Sequence, residues 1–152
     1  MTPGVISRRV VVDRLALVAD LLQEIRSLPL HNRQTFFADR RNVWAAESCV
    51  RRCLEALFDL GRHILAKAYG LGVSEYKEIV IRLQAQGVLS ENEAATLHLL
   101  AGYRNRLVHF YHEVSAEELY QVCSQQLGDI EVMQDAYRRW LQEHPEKLDQ
   151  TL

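Results

Sequence analysis

The residues with the most chemistry to offer lie in one stretch, Leu97-His98-Leu99-Leu100-Ala101-Gly102-Tyr103-Arg104-Asn105-Arg106-Leu107-Val108-His109-Phe110-Tyr111-His112. Read as a helix, Leu97, Leu100, Ala101, Leu107, Val108 and Tyr111 form an apolar stripe, and Arg104 sits in the middle of it. An arginine in a core-facing position must be paired, reach out to water, or face a wet cleft or a subunit interface. Beside it, roughly 80–140° around the wheel, come His98, Asn105, His109 and His112. These residue types suit phosphate chemistry. A guanidinium grips phosphate oxygens in pairs and stabilises charge that develops on them. An imidazole, with an ordinary pKa of about 6.5, both takes and gives protons near neutrality. Arg104 and His109 nevertheless stand about 140° apart on a regular helix. They converge only if Arg104 reaches sideways, if the helix loosens near His109, or if a second subunit completes the site. The capping pattern at Ser115 ends the helix soon after His109, so a loosened last turn is expected.

The elements that must position this stretch read as helices. The first carries Val10, Leu17, Val18, Leu21, Ile25 and Leu28 on one side and stops at Pro29. The second is long, about 40–69, with the stripe Val43, Ala46, Val50, Leu54, Leu57, Gly61, Ile64 and Ala68. Gly61 inside that stripe costs about 1 kcal/mol against Ala and implies a close helix crossing. Gly70 and Gly72 supply stop signals. Ser74 starts a short third helix that Gly87 closes. Ser90-Glu91-Asn92-Glu93 is a capping box for the fourth, and Ser115-Ala116-Glu117-Glu118 another for the fifth. The fifth presents Leu119, Val122, Cys123, Ile130, Met133, Tyr137, Trp140 and Leu141, and Pro145 stops it. No segment reads as a strand. The expected fold is all-α, an antiparallel up-and-down bundle of four to five helices in one domain spanning 1–152, with a core of about 7–143 and a frayed tail, 144–152.

Composition bounds the partners. With 152 residues, 48% of them apolar and only 3 prolines, the chain can bury a core of its own and is not a disordered or many-turned all-β protein. No apolar run is long enough to span a membrane. The opening residues lack a secretory signal core, and 3 cysteines with no secretory context imply reduced thiols, so a cytoplasmic location is expected. The formal net charge of −2 excludes a strong overall positive field, though not a local basic site.

The run Arg104-Asn105-Arg106-Leu107-Val108-His109-Phe110-Tyr111 resembles the R-x4-H-x-Y signature of the HepT-like toxin family of the HEPN superfamily. The surroundings resemble that family too, in Glu55-Ala56-Leu57-Phe58-Asp59-Leu60-Gly61, Tyr76-Lys77-Glu78-Ile79-Val80 and Gly87-Val88, so the likeness covers about 10–141. The resemblance implies an all-helical homodimer acting as the toxin of a toxin–antitoxin pair. It implies a metal-independent ribonuclease that uses Arg104 and His109, with RNA as substrate and no cofactor. The implied partner is a minimal nucleotidyltransferase antitoxin of the MntA type, which in some pairs adds AMP to the motif tyrosine, here Tyr111. On that reading His109 is base or acid and its mate across the dimer takes the other role. Arg104 stabilises the phosphate, Asn105 orients it, and Tyr111 positions phosphate or base at the rim. A nucleotidyl group on Tyr111 would put bulk and negative charge where RNA phosphate must bind.

Plainer readings stand beside these. The chain could be a catalytically silent HEPN module that serves as antitoxin-bound partner and nucleotidyl acceptor, or a purely structural bundle. Arg104 could be an ion-pair residue, with Glu47 or Asp59 as partner. His98 and His112 read as surface residues. A metal held by His109, His112 and Glu113 lacks the i, i+4 pair and third ligand of a zinc site, so no metal is expected. Cys49 and Cys53 read as buried thiols. The pairs Arg8-Arg9, Arg40-Arg41, Arg51-Arg52 and Arg138-Arg139 are solvated faces unless they line a dimer cleft, where they would draw in RNA.

Overall fold

Thirty residues with one glycine and no proline make α3, Arg40–Tyr69, the spine of the molecule. The computed structural model describes residues 4–109 and 114–149, with the backbone alone at His109. Six further α-helices lie around α3: α1 (Arg8–Arg26), α2 (Arg33–Ala38), α4 (Tyr76–Ala85), α5 (Glu91–His109), α6 (Ala116–Gln125) and α7 (Leu127–Glu143). A 3-10 turn at Pro145–Lys147 follows. Each of the six packs on α3, α1 most extensively. The second half of α3 is therefore buried almost all round, through Cys53, Leu54, Leu57, Phe58, Leu60, Ile64 and Leu65. Among the described residues there is no strand, and no helix is long and apolar enough to cross a membrane.

Gly61 marks the close crossing expected of it. A Cβ there would lie 2.8 Å from Tyr137 Oη, 2.9 Å from Leu83 Cδ1 and 3.3 Å from Ile79 Cγ2. The helix ends follow local chemistry. Gly70 closes α3 in the left-handed region (φ 67°), its N–H donating to Ala66 O and that of Leu71 to Leu65 O. Ser90 and Glu93 cap α5 reciprocally, side chain to backbone in both directions.

Four expectations need correction. The described bundle has seven α-helices rather than four or five. The six-residue α2 is too short to show a period in the sequence; Asn32 Oδ1 caps it by accepting from Thr35 N–H, and Phe36 buries completely. The expected fifth helix is two, broken at Gln126 (φ −122°, ψ 9°). The apolar period runs straight through the break, since Leu119 and Cys123 before it and Ile130, Met133 and Tyr137 after it are all buried. The third expected helix starts at Tyr76 rather than Ser74, because the loop before it is drawn onto Arg62, which donates to the carbonyls of Val73 and Ser74 at 3.1 Å each. Finally, the tail is not frayed through Asp149. Ile6 N–H donates to Lys147 O, Asp149 N–H to Ile6 O, and Arg8 N–H to Asp149 Oδ1.

Candidate functional site

Arg104 follows Ala94, Leu97 and Ala101 along the buried stripe of α5, and its side chain is only 13% exposed. It is not buried among aliphatic groups alone. The guanidinium carbon lies 4.2 Å from the centre of the Tyr76 ring, at the start of α4. Such a cation–π contact stabilises by about 0.5–2 kcal/mol. Nη2 is 3.4 Å from Glu55 Oε1 on α3, at the long end of hydrogen bonding. The same carboxylate oxygen is 3.6 Å from Arg51 Nη1. One carboxylate is thus shared by two guanidinium groups. Arg104 Nε is buried and has no hydrogen-bond partner among the described residues. An arginine of this kind is incompletely neutralised and keeps a donor unspent.

A second layer fixes the first. One helical turn beyond Glu55, Asp59 is 3.1 Å from Arg62 Nη1 and 3.9 Å from Arg14 Nε. Arg62 uses its remaining donors on the loop before α4, and Phe58 meets Tyr76 edge-on with ring centres 4.8 Å apart. Arg62 and Phe58 between them place Tyr76 under Arg104. Around Glu55 and Asp59 stand Arg14, Arg51, Arg62 and Arg104, which leaves two guanidinium charges in excess on this wall of a chain whose formal net charge is −2.

The remaining expected site residues fall as follows. Asn105 lines a cleft with Ser74, Glu75, Tyr76 and Lys77. Arg106 is engaged elsewhere: its Nη1 and Nη2 donate to the two carboxylate oxygens of Glu118 at 2.7 and 2.8 Å. The capping box at Ser115 is consequently half made. Ser115 Oγ accepts from Glu118 N–H, while the Glu118 carboxylate goes to Arg106. The backbone of α5 stays helical through His109, so no loosening precedes that residue, and the regular helix sets it about 140° around the axis from Arg104. Tyr111 and His112 lie outside the described residues, as does Glu113. His98 is exposed. The ion-pair partner of Arg104 is Glu55, not Glu47 or Asp59.

The three cysteines are free thiols. Burial pushes the pKa of Cys53 and of Cys123 up to about 12, which leaves almost no thiolate at neutral pH. No group of three or more His, Cys, Asp or Glu among the described residues could hold a metal ion.

Sequence reasoning missed Tyr76 and Arg62 and left Glu55 without a role. Glu55 and Tyr76 sit in the stretches that carry the family resemblance, and nothing in their spacing links them to Arg104, 49 residues beyond Glu55.

Fold and site together define an all-helical protein whose motif helix sets an unspent arginine against an aromatic ring and a shared carboxylate. The family model for Ribonuclease HepT-like proteins matches residues 18–136, and the chain belongs to that family. Among solved structures the chain is similar to a toxin–antitoxin structure with AMP-PNP, at 21% identity over 84% of this chain and 97% of that one (TM-score 0.73). It is also similar to a tri-AMPylated HEPN toxin from Shewanella oneidensis in complex with MNT antitoxin, at 21% identity over 86% and 97% (TM-score 0.74). A third similar structure is YutE from Bacillus subtilis, a cytosolic protein of unknown function, at 18% identity over 95% and 98% (TM-score 0.75). No curated protein matches the chain.

Proposed function

We propose that the protein is the toxin of a HEPN/MNT toxin–antitoxin pair, an endoribonuclease that works without a metal as a homodimer. The observation that carries this reading is Arg104: only 13% exposed, set against the Tyr76 ring, sharing one carboxylate with Arg51, and with its buried Nε unpartnered among the described residues. Leaving a buried donor unpaired costs about 1–3 kcal/mol, and a group kept at that cost calls for a function. A phosphate would satisfy it. Family membership and the likeness to HEPN toxins support the same reading.

The chemistry follows from the motif. One His109 takes the proton of a ribose 2′-OH, whose oxygen attacks the adjacent phosphorus. The P–O5′ bond breaks, and the second protomer's His109 gives a proton to the departing O5′. The products are a 2′,3′-cyclic phosphate and a 5′-hydroxyl. Arg104 stabilises the charge on the non-bridging oxygens and Asn105 orients them. The 140° offset of Arg104 and His109 on an unbroken helix supports a site completed across a two-fold axis. A nucleotidyltransferase partner silences the toxin: the Tyr111 phenol oxygen attacks the α-phosphorus of ATP, pyrophosphate leaves, and AMP stays on the tyrosine.

Expression in cells tests this. Wild type should arrest growth and cut RNA in EDTA, and Arg104→Ala and His109→Ala should do neither while still unfolding cooperatively, Arg104→Ala at a somewhat lower Tm for its lost contact with Tyr76. Equal toxicity of wild type and His109→Ala would remove the catalytic reading. The silent nucleotidyl acceptor, which the net charge of −2 favours by offering little long-range steering of RNA, would then stand.

A further inference from the structure

Apart from Asn105, the residues of the cleft beside Arg104 have no part in the reaction above. The cleft has a volume of about 330 Å³ between the start of α4 and the side of α5, and is lined by Ser74, Glu75, Tyr76, Lys77 and Asn105. We infer that it holds the nucleotide next to the scissile phosphate, reads its base, and prefers a base with an exocyclic amine over uracil. This rests on the ribonuclease reading and adds its substrate selectivity.

Position comes first. Tyr76 is both the ring beneath the Arg104 guanidinium and a wall of the cleft, and Asn105 is the next residue after Arg104. The cleft therefore begins where the phosphate-binding group ends. Its contents come second. The Ser74 hydroxyl, the Glu75 carboxylate, the Lys77 ammonium and the Asn105 carboxamide make no hydrogen bond or ion pair with any described residue. On the same surface, by contrast, Glu78 is paired with Arg82, and Asp59 with Arg62. Four kinds of polar group, three of them on exposed residues and free to take a ligand in place of water, thus border one hollow. Size comes third. A volume of 330 Å³ is at the low end of the roughly 300–1,000 Å³ that small-molecule sites occupy, room for one nucleotide and none for a duplex. Sequence-selective RNA recognition works on such splayed, single-stranded nucleotides. Lys77 suits the phosphate as a point charge. Glu75 can only accept, so it pairs with the exocyclic amine of adenine, cytosine or guanine, whereas uracil offers it only N3–H flanked by two repelling carbonyls, while Asn105 both donates and accepts.

The test uses the full chain carrying His109→Ala, so that RNA stays intact, and fluorescent single-stranded oligonucleotides of adenine, cytosine or uracil read by anisotropy across a salt series. Ser74, Glu75 and Lys77 are exposed, so substitutions there leave the fold alone. Lys77→Ala should weaken binding to all three and lower the slope of log K against log salt by about 0.7, the loss of one phosphate contact. Glu75→Gln should leave that slope alone and cut the preference for adenine and cytosine over uracil by about 5- to 100-fold, the range of one lost base contact. Lys67→Ala, on an exposed part of α3, is the control and should bind as the parent does. If Lys77→Ala and Glu75→Gln both match the control, the cleft is not a nucleotide subsite, and the ribonuclease reading stands without it. If free AMP binds more tightly than the oligonucleotides, the cleft belongs to a mononucleotide and the inference fails. If no oligonucleotide binds and the wild type cuts no RNA, both readings fall together.

Discussion

Replacing Gly61 with alanine tests the crossing on which the site depends. Gly61 lies on the same helix as Glu55, further along α3, where side chains of α4 and α7 press on its backbone. The added methyl would meet Tyr137 Oη at 2.8 Å and Leu83 Cδ1 at 2.9 Å, with Ile79 Cγ2 at 3.3 Å. Three effects compete. Alanine gains about 1 kcal/mol of helix propensity. Overpacking a filled core costs about 1–3 kcal/mol. The Tyr137 hydroxyl is fully buried and donates to Leu57 O at 3.1 Å; pushing it aside leaves a buried donor unsatisfied, at about 1–3 kcal/mol. The net is a loss of about 1–5 kcal/mol, centred on about 3 kcal/mol. For a chain of this length each kcal/mol moves Tm by about 2–4 °C, so at the central value Gly61→Ala should melt about 6–12 °C lower. Calorimetry on the purified protein reads this directly. Tyr137→Phe in the same background removes the oxygen nearest the new methyl and should recover part of the loss. An unchanged or raised Tm for Gly61→Ala would show that propensity wins and that the crossing is looser than these distances say.

Near the N-terminus, His63 Nε2 accepts from Ser7 N–H at 3.0 Å, and partial burial, with Lys67 and Arg14 nearby, holds its pKa below the usual histidine value. Its neutral form is the one the fold favours, so its contribution to stability is complete above the unfolded pKa of about 6.5 and is lost as pH falls through the lower folded value. His63→Gln, which can still accept from Ser7, should flatten the part of the Tm–pH curve below about pH 6.5; an unaltered curve would refute the assignment. If the proposed pairing holds, co-expression with a nucleotidyltransferase antitoxin should add roughly 329 Da per AMP to the intact mass, and Tyr111→Phe should abolish that gain; a gain that persists puts the modification elsewhere.

How much of this was legible in the sequence varied with the range of the interaction. The stripe of α3 and the Ser90–Glu93 cap are set within a few turns of one helix, and Gly61 marks its crossing with α4 and α7 by residue type alone; each stands where the spacing put it. The break at Gln126 was not legible, because the core positions on either side keep one period and only the backbone records the interruption. Arg104 was legible as an anomaly, a charge in an apolar stripe. What surrounds it was not. Glu55, Tyr76 and Arg62 come from two other elements, and their meeting at Arg104 is a product of packing on α3 that no local rule encodes.

A net charge of −2 gives RNA no long-range attraction, and screening at physiological salt removes what remains beyond about 8 Å. On the ribonuclease reading phosphate is therefore recognised at contact, where Arg14, Arg51, Arg62 and the largely buried Arg104 leave two guanidinium charges in excess of Glu55 and Asp59. Glu55 has a double effect in that setting. It holds Arg104 in place at a distance long enough, on the ribonuclease reading, for a phosphate oxygen to outcompete it. A closer, bidentate carboxylate would hold the arginine too well, as Glu118 holds Arg106 two residues further along the same helix. The contrast between these two arginines, one spent on a bidentate carboxylate and one with a donor in reserve, is what makes Arg104 rather than Arg106 the phosphate-binding group of the proposed reaction.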